Sequence, residues 1–170
     1  MEWVSNTMSR YDVILSFKEK DTRYSFSGYL YNALEQEGFK IFMNDKRCNE
    51  DCFGSSQTHV TEAIEKSRLS IIVLSENYAY SSSCLDELVM ILDNMKTRNQ
   101  LVWPIFYKVE PSDIRHQKNS YEKAMNEHEN KFEKDSQKVK IWRPTLFEVA
   151  NLKGWHFKYG YTVYFDLLFD

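Results

Sequence analysis

Glycine is scarce in this chain, with 5 residues in 170, and their spacing excludes two common ways of holding phosphate. Neither the G-x-G-x-x-G pattern of dinucleotide-binding folds nor a Walker loop occurs. A phosphate-receiver domain would need an aspartate at the end of the third predicted strand, where Ser75 stands. No serine lies in a nucleophile-elbow pattern, and the 4 histidines form no H-E-x-x-H pair. The usual signatures of phosphate-binding and hydrolytic enzymes are therefore missing.

Cysteine is also scarce and odd in number, with Cys48, Cys52 and Cys84. None of the three lies in C-x-x-C spacing, which argues against a disulfide framework and fits a reducing compartment. Cys48 and Cys52 together with His59 would give a structural zinc ion only three of the four ligands it needs. We therefore predict free thiols and no metal.

Long apolar runs and a strong charge of one sign are both absent. No apolar segment approaches the roughly 18 residues of a membrane-spanning helix, and the amino terminus has no signal-peptide pattern. The 22 Lys and Arg residues against 25 Asp and Glu give a net charge of -3, with the basic residues scattered. This distribution favours neither nucleic acid nor an anionic membrane as a partner. We expect a soluble cytoplasmic protein, with the nucleus as a further compartment.

Apolar side chains are plentiful, at 42% hydrophobic and 15% aromatic residues. This composition supports one folded domain of ordinary size. We place that domain at residues 11–160, after a flexible segment at 1–10. The apolar stretch 161–170 is expected to be a short tail or a domain-boundary segment.

Short apolar runs alternate with amphipathic segments, which is typical of an α/β fold with a parallel sheet. Four strands are predicted, at Tyr11–Phe17, Phe39–Phe42, Leu69–Ser75 and Leu101–Tyr107. Pro104 inside the last run favours an edge or bulged position, because proline cannot donate to a sheet ladder. A fifth strand has no clear candidate.

Helical periodicity predicts five helices with one buried face each. Their apolar positions are Phe26, Leu30, Ala33 and Leu34; Val60, Ala63 and Ile64; Leu85, Leu88, Leu92 and Met95; Tyr121, Ala124, Met125, His128 and Phe132; and Trp142, Leu146, Val149 and Ala150. His128 on such a face indicates a core or boundary histidine. Gly38 is predicted to end the first helix with a left-handed cap. Pro144 predicts that the last helix begins near Ile141 or later.

The loops after the four strands are where a ligand is expected in an open sheet of this kind. Two adjacent carboxylates, Asp86 and Glu87, open the helix that follows the third of these loops. With Ser83 as the N-cap, Asp86 would stand at the position of a capping box. Glu87 lies off the apolar face and toward the strand ends, so it is either a solvated surface glutamate or a functional group.

Several stretches resemble plant Toll/interleukin receptor (TIR) domains, the signalling domains of intracellular immune receptors. YDVILSFKEKDTR is similar to the opening of that family. AIEKSRLSIIVLSENYA, SSSCLDELV, PIFYKVEPSDIRHQ and WRPTLFEVANLKGWH follow in the family's order and cover most of residues 11–160. The resemblance implies a flavodoxin-like, three-layer α/β fold with a parallel five-stranded sheet flanked by helices.

The resemblance also implies an activity, which is cleavage of NAD or NADP at the nicotinamide–ribose bond to make nucleotide signals in disease resistance. The dinucleotide is then a substrate, and no bound cofactor is expected. The catalytic glutamate of the family's C-L-D-E-L motif is Glu87 here. The implied substrate-binding residues are Lys18, Glu19, Asn44, Asp45, Ser81 and Ser83.

The chain departs from the family pattern around this site. Lys18, Glu19 and Lys20 stand in place of R-G-E, and Ser83 stands in place of tryptophan. The loop CNEDCFGSSQTH lacks the family's usual pattern. These departures keep an alternative open, a catalytically weak TIR domain that acts as a protein-interaction module.

Self-association through the first and last helices is implied as well, and other TIR proteins are further possible partners. The corresponding residues here are Ser27, Gly28, Tyr29 and Trp142. The family's usual Ser-His pair in the first helix is replaced by Gly28 and Tyr29. Gly28 would cost that helix up to about 1 kcal/mol of propensity relative to alanine.

Overall fold

The computed structural model of the chain describes residues 11–43, 57–132 and 136–158. Five parallel strands form one sheet in the order β2-β1-β3-β4-β5. They are β1 (Tyr11–Phe17), β2 (Ile41–Met43), β3 (Ser67–Leu74), β4 (Leu101–Tyr107) and β5 (Trp155–Phe157). Residues 1–10 and 161–170, predicted to be a flexible segment and a tail, lie outside the described ranges.

Seven helices and one 3₁₀ turn connect the strands in the described part of the chain. The helices are α1 (Glu19–Thr22), α2 (Phe26–Gln36), α3 (Gln57–Glu65), α4 (Ser82–Arg98), α5 (Pro111–Arg115), α6 (Ser120–Lys131) and α7 (Ser136–Asn151), and the 3₁₀ turn is Tyr78–Tyr80. Helices lie on both faces of the sheet, which confirms the predicted flavodoxin-like, three-layer architecture.

Alternation along the central strands divides the core between the two faces of the sheet. In β1, Ile14 packs into the cluster formed with α3, α4, α6 and α7, whereas Val13 and Leu15 pack against α2. In β3, Ile72 and Leu74 join the first cluster, and Ile71 and Val73 join the second. Because successive side chains of a strand point to opposite faces, a strand buried on both sides carries apolar side chains toward both.

Gly38 ends α2 as predicted. Its φ angle is 88°, in the left-handed region that glycine enters without steric cost. The Gly38 amide donates to the carbonyl of Glu35, and the Phe39 amide donates to that of Leu34. This pair of bonds is the Schellman arrangement, which satisfies carbonyls left over at the end of a helix.

The predicted edge position of β4 is wrong, because β4 lies between β3 and β5. The ladder with β5 begins only at Ile105, which pairs with Trp155, so Pro104 precedes it. β4 therefore has a second neighbour only along its last three residues. Pro104 is tolerated because, although β4 lies between two strands, its pairing with β5 covers only the residues after the proline.

The last helix begins earlier than predicted, at Ser136, and contains Pro144 in its interior. A proline there removes the amide that would bond to the carbonyl four residues before, that of Lys140. Lys140 and Pro144 are both exposed, so water can reach this carbonyl. The Thr145 hydroxyl donates to the Ile141 carbonyl at 2.7 Å, which adds a bond within the same turn.

Two of the residues expected at an association surface are buried instead. Ser27 is 0% exposed and hydrogen-bonds to the Thr22 hydroxyl at 2.6 Å, and Trp142 is 1% exposed in the core. Neither side chain can form a contact surface in this fold, and the expectation is wrong for both. Tyr29, in contrast, is 65% exposed.

Gly28 has a packing reason to lack a side chain. A Cβ atom at this position would stand 2.5 Å from the backbone oxygen of Arg23, closer than real Cβ contacts come. The missing side chain therefore lets the first turn of α2 approach the end of α1.

We predict that Gly28→Ala destabilises the domain by about 1–3 kcal/mol, because the clash with the Arg23 carbonyl outweighs the gain in helix propensity. Asn32→Ala is the matched control, since Asn32 is an exposed position of the same helix. It should be neutral or slightly stabilising. Urea unfolding of the three proteins measures both values. Equal stability of the two variants would contradict the packing explanation.

Candidate functional site

A cleft of about 280 Å³ opens at the carboxyl edge of the sheet, between the segment after β1 and the start of α4. After β1 the chain forms β2 on one side of it and then crosses to form β3 on the other side. The cleft lies at this reversal of the connections, where open α/β sheets usually bind ligands. Its lining residues are Leu15, Phe17, Lys18, Glu19, Lys20, Ser81, Ser83, Cys84 and Glu87.

Five of the residues predicted to form the site meet in this cleft: Lys18, Glu19, Ser81, Ser83 and Glu87. They come from two segments, 18–19 and 81–87, that are more than 60 positions apart in the chain, and the pairing of β1 with β3 brings these segments together. The other two predicted residues, Asn44 and Asp45, lie outside the described residues.

Glu87 is a buried carboxylate at the wall of the cleft. It is 6% exposed, and it lies on the inner side of α4 together with Cys84 and Leu88. The alternative of a solvated surface glutamate is therefore wrong. A charge held away from bulk water interacts more strongly with a nearby opposite charge, because the effective dielectric constant is lower. The position suits a carboxylate that must stabilise positive charge on a bound molecule.

The start of α4 differs from the predicted capping box. The N-cap is Ser81, whose hydroxyl accepts a hydrogen bond from the Cys84 amide at 3.2 Å. Ser83 is already the second helical residue, so it caps nothing. Asp86 instead accepts a bond from the Trp142 indole at 3.0 Å and lies 3.5 Å from the Lys138 ammonium. Asp86 therefore joins α4 to α7.

Asp21 fixes the opposite wall of the cleft, and the sequence did not single it out. Its carboxylate accepts from the Ser75 hydroxyl at 2.6 Å, from the Asn77 amide at 2.9 Å and from the Asn77 side chain at 3.0 Å. These bonds tie α1, which follows Lys18, to the end of β3. Asp21 lies within the segment KEKDTR that resembles the TIR family. Its partner Ser75 is 54 positions away, so the segment alone does not reveal the bond.

Two buried tyrosines support the same edge of the sheet from below. Tyr78 and Tyr121 are both 0% exposed, and burial is the main cause that raises the pKa of each well above its usual value. Both phenols are therefore neutral hydrogen-bond donors at ordinary pH. The Tyr121 hydroxyl donates to the Ser75 carbonyl at 2.8 Å.

A second cleft, of about 260 Å³, lies along the same edge at the ends of β4 and β5. It is lined by Glu76, Lys108, Val109, Glu110, Asp113, Asn119, Ser120, His156 and Lys158. The predicted ligand loop after β4 faces this cleft. Its charges are mixed, and Glu110 pairs with Lys158 at 3.3 Å.

Metal ligands do not gather anywhere in the described ranges: these contain no group of three or more His, Cys, Asp or Glu side chains placed to hold an ion. Cys48 and Cys52, weighed as ligands together with His59, lie outside them. Cys84 is a buried cysteine that forms no disulfide bond with any described residue. Over the same ranges, no helix has both the length and the apolar character required to cross a membrane.

Comparison with known proteins gives one consistent result. The TIR domain family model matches residues 10–162. TMV resistance protein N from Nicotiana glutinosa is 46% identical over 153 residues, covering 88% of this chain and 13% of that protein. Disease resistance protein RPV1 from Vitis rotundifolia is 45% identical over 146 residues, covering 86% and 10%. The chain thus spans a small fraction of these relatives' length.

A solved structure agrees with this result. The TIR domains in the structure of the activated Roq1 resistosome, described as directly recognizing the pathogen effector XopQ, match with a TM-score of 0.80 and 40% sequence identity. The match covers 89% of this chain and 90% of that one.

We predict that Asp21→Ala lowers the free energy of unfolding by about 2 kcal/mol, because hydrogen bonds to a charged group contribute roughly 1.5–3 kcal/mol. The matched control is Asp93→Ala, which removes an exposed carboxylate from α4. The control should change the same free energy by less than about 0.5 kcal/mol. Denaturant unfolding measures both variants, and a similar small effect in each would show that the Asp21 bonds do not hold the loop.

Proposed function

The chain belongs to the TIR domain family, and from that membership we propose that it cleaves NAD or NADP at the nicotinamide–ribose bond to make nucleotide signals in plant disease resistance. The observation that carries the proposal is the position of Glu87, a carboxylate 6% exposed at the wall of a cleft that also holds Lys18 and Ser81. The disease resistance proteins among its relatives support the biological setting.

The proposed reaction needs one well-placed carboxylate. The bond between the ribose carbon and the pyridinium nitrogen breaks, and its electron pair leaves with nicotinamide, which becomes a neutral molecule. No general acid is required for this departure. Positive charge grows on the ribose, as it does on the sugar in glycoside hydrolysis, and a water molecule then adds to the same carbon and loses a proton. Glu87 would face the ribose and stabilise that charge.

The charges at the mouth of the cleft fit a dinucleotide. Lys18 and Lys20 lie on the wall opposite Glu87, and ammonium groups form strong charge-assisted hydrogen bonds with phosphate oxygens. In this arrangement the two lysines would bind the pyrophosphate while Glu87 meets the ribose. Glu19, on the same segment, would limit how closely a second anionic group can approach.

Self-association is the second part of the proposal, and the exposed aromatic surface before and within α2 favours it. Tyr24 is 74% exposed and Tyr29 is 65% exposed. Large apolar side chains at a surface are typical of interaction sites when they cluster. The match to TIR domains of an activated resistosome supports the same idea. If the cleft is inactive, this surface is what the alternative of a protein-interaction module would use.

We predict that the domain releases nicotinamide from NAD when it is concentrated or crowded on a surface, and that Glu87→Gln lowers the rate by at least about 100-fold. The substitution keeps the shape of the side chain and removes its charge. Nicotinamide and remaining NAD are measured together by chromatography.

Asp86→Asn is the control for that experiment, because it neutralises the neighbouring carboxylate, which binds Trp142 and lies outside the cleft lining. Its rate should stay within about threefold of the wild-type rate. Equal rates for Glu87→Gln and the wild type would remove Glu87 from the mechanism. Intact NAD after long incubation with the crowded wild-type domain would refute the enzymatic proposal.

We predict that Tyr29→Ala weakens self-association by about tenfold or more, because the few residues that dominate the binding energy of an interface are enriched in tyrosine. Leu101→Ala is the control, because Leu101 is 59% exposed at the amino end of β4, at the opposite edge of the sheet. Sedimentation at a series of concentrations gives the association constants. The same constant for all three proteins would exclude this surface.

A further inference from the structure

The hydroxyl of Tyr78 joins two parts of the cleft that are distant in the chain. Tyr78 lies in the 3₁₀ turn between β3 and α4, and it is 0% exposed. Its hydroxyl lies 2.9 Å from the Ser16 hydroxyl of β1 and donates to the Cys84 carbonyl of α4 at 3.1 Å. Since a phenol has one proton and that proton goes to the carbonyl, Ser16 is the donor in the other bond.

The contacted carbonyl belongs to the first turn of the helix that carries Glu87. Cys84 is the third residue of α4, and Glu87 follows it by three positions, so the two side chains lie on the same face of the helix. The Cys84 thiol makes a further contact of 3.7 Å with the Phe17 carbonyl. The first turn of α4 is therefore attached to the end of β1 at two points.

Tyr78 and Glu87 also interact electrostatically. The pKa of Tyr78 is raised first by burial, then by electrostatic interaction with Cys84 and with Glu87. Glu87 thus lies near enough for its carboxylate to act on the phenol electrostatically. The phenol remains protonated at ordinary pH, so it keeps its proton for the Cys84 carbonyl.

We propose that Tyr78 is a positioning residue for Glu87: by joining β1 to the first turn of α4, its hydroxyl sets where the Glu87 carboxylate stands in the cleft. The expected effect of Tyr78 on catalysis rests on the proposed function. Its effect on the anchoring of α4 rests on the hydrogen bonds alone. If Tyr78 only packed in the core, its aromatic ring would be sufficient, and phenylalanine would serve equally well. A positioning role needs the oxygen.

The test is Tyr78→Phe, which removes only the hydroxyl. The matched control is Tyr121→Phe, which also removes a fully buried hydroxyl bonded to a backbone carbonyl, but one at the end of β3 rather than in α4. Nicotinamide release is measured well below the melting temperatures of both variants. We expect kcat to fall by at least about tenfold for Tyr78→Phe with KM within about twofold, because a small displacement of a catalytic group lowers the rate of the chemical step.

The control should lose comparable stability and keep kcat within about twofold of the wild-type value. Equal kcat values for the two variants would overturn the proposal. A second variant, Ser16→Ala, keeps the bond between Tyr78 and Cys84 but removes the bond from Tyr78 to β1, so it should also lower kcat. A wild-type kcat in Ser16→Ala would contradict a bridge between β1 and α4.

Amide hydrogen exchange keeps the inference testable if the wild-type domain releases no nicotinamide. That result would refute the proposed function, whereas exchange reports on the anchoring of α4 directly. We expect the amides of residues 84–91 to exchange at least about tenfold faster in Tyr78→Phe and at the wild-type rate in Tyr121→Phe. Unchanged exchange at these amides in Tyr78→Phe would overturn the proposal whatever the activity.

Discussion

The pairing of β1 with β3 at the centre of the sheet is the contact on which the cleft depends. It runs over six residue pairs from Tyr11 with Ser67 to Phe17 with Val73. Because both strands are parallel, their carboxyl ends meet at one edge, and the segments that follow them become neighbours. Burial on both faces holds the pair rigidly, since the strands carry apolar side chains in both directions. The two walls of the cleft are thus extensions of the most buried part of the domain.

Hydrogen bonds from polar groups in the core and at its border then fix the walls that the strands only bring close. Asp21 ties α1 to the end of β3, and Tyr78 ties the first turn of α4 to β1. Asp86 joins α4 to α7 through the Trp142 indole. Each of these groups lies within or beside the core, where an unmade hydrogen bond is costly. The Asp21 and Tyr78 bonds therefore hold the two walls of the cleft, whereas the Asp86 bond holds α4 against α7 outside the cleft.

Much of the fold was predictable from periodicity, and the exceptions have physical causes. β1 and β4 have the predicted bounds, and Gly38 ends α2 as expected. β5 was missed because three residues are too few to show alternation. Pro144 suggested too late a start for α7, since an exposed carbonyl can bond to water and a helix can then tolerate the proline. β4 is internal because the three-residue strand β5 pairs with it, and no local sequence pattern revealed β5.

The sequence by itself determined four of the five strands and five of the seven helices of the described ranges, the membership of the TIR family, and the place of Glu87 in the C-L-D-E-L motif. These follow from local patterns and from motifs within single segments. Only the tertiary structure decided that Glu87 is buried, that Ser81 rather than Ser83 caps α4, and that Ser27 and Trp142 are inside. The reason is that burial and hydrogen-bond partners depend on which distant segments meet: Ser75, Ser16 and Trp142, which bond to Asp21, Tyr78 and Asp86, lie 54 to 62 positions from them. No pattern within one segment contains that information.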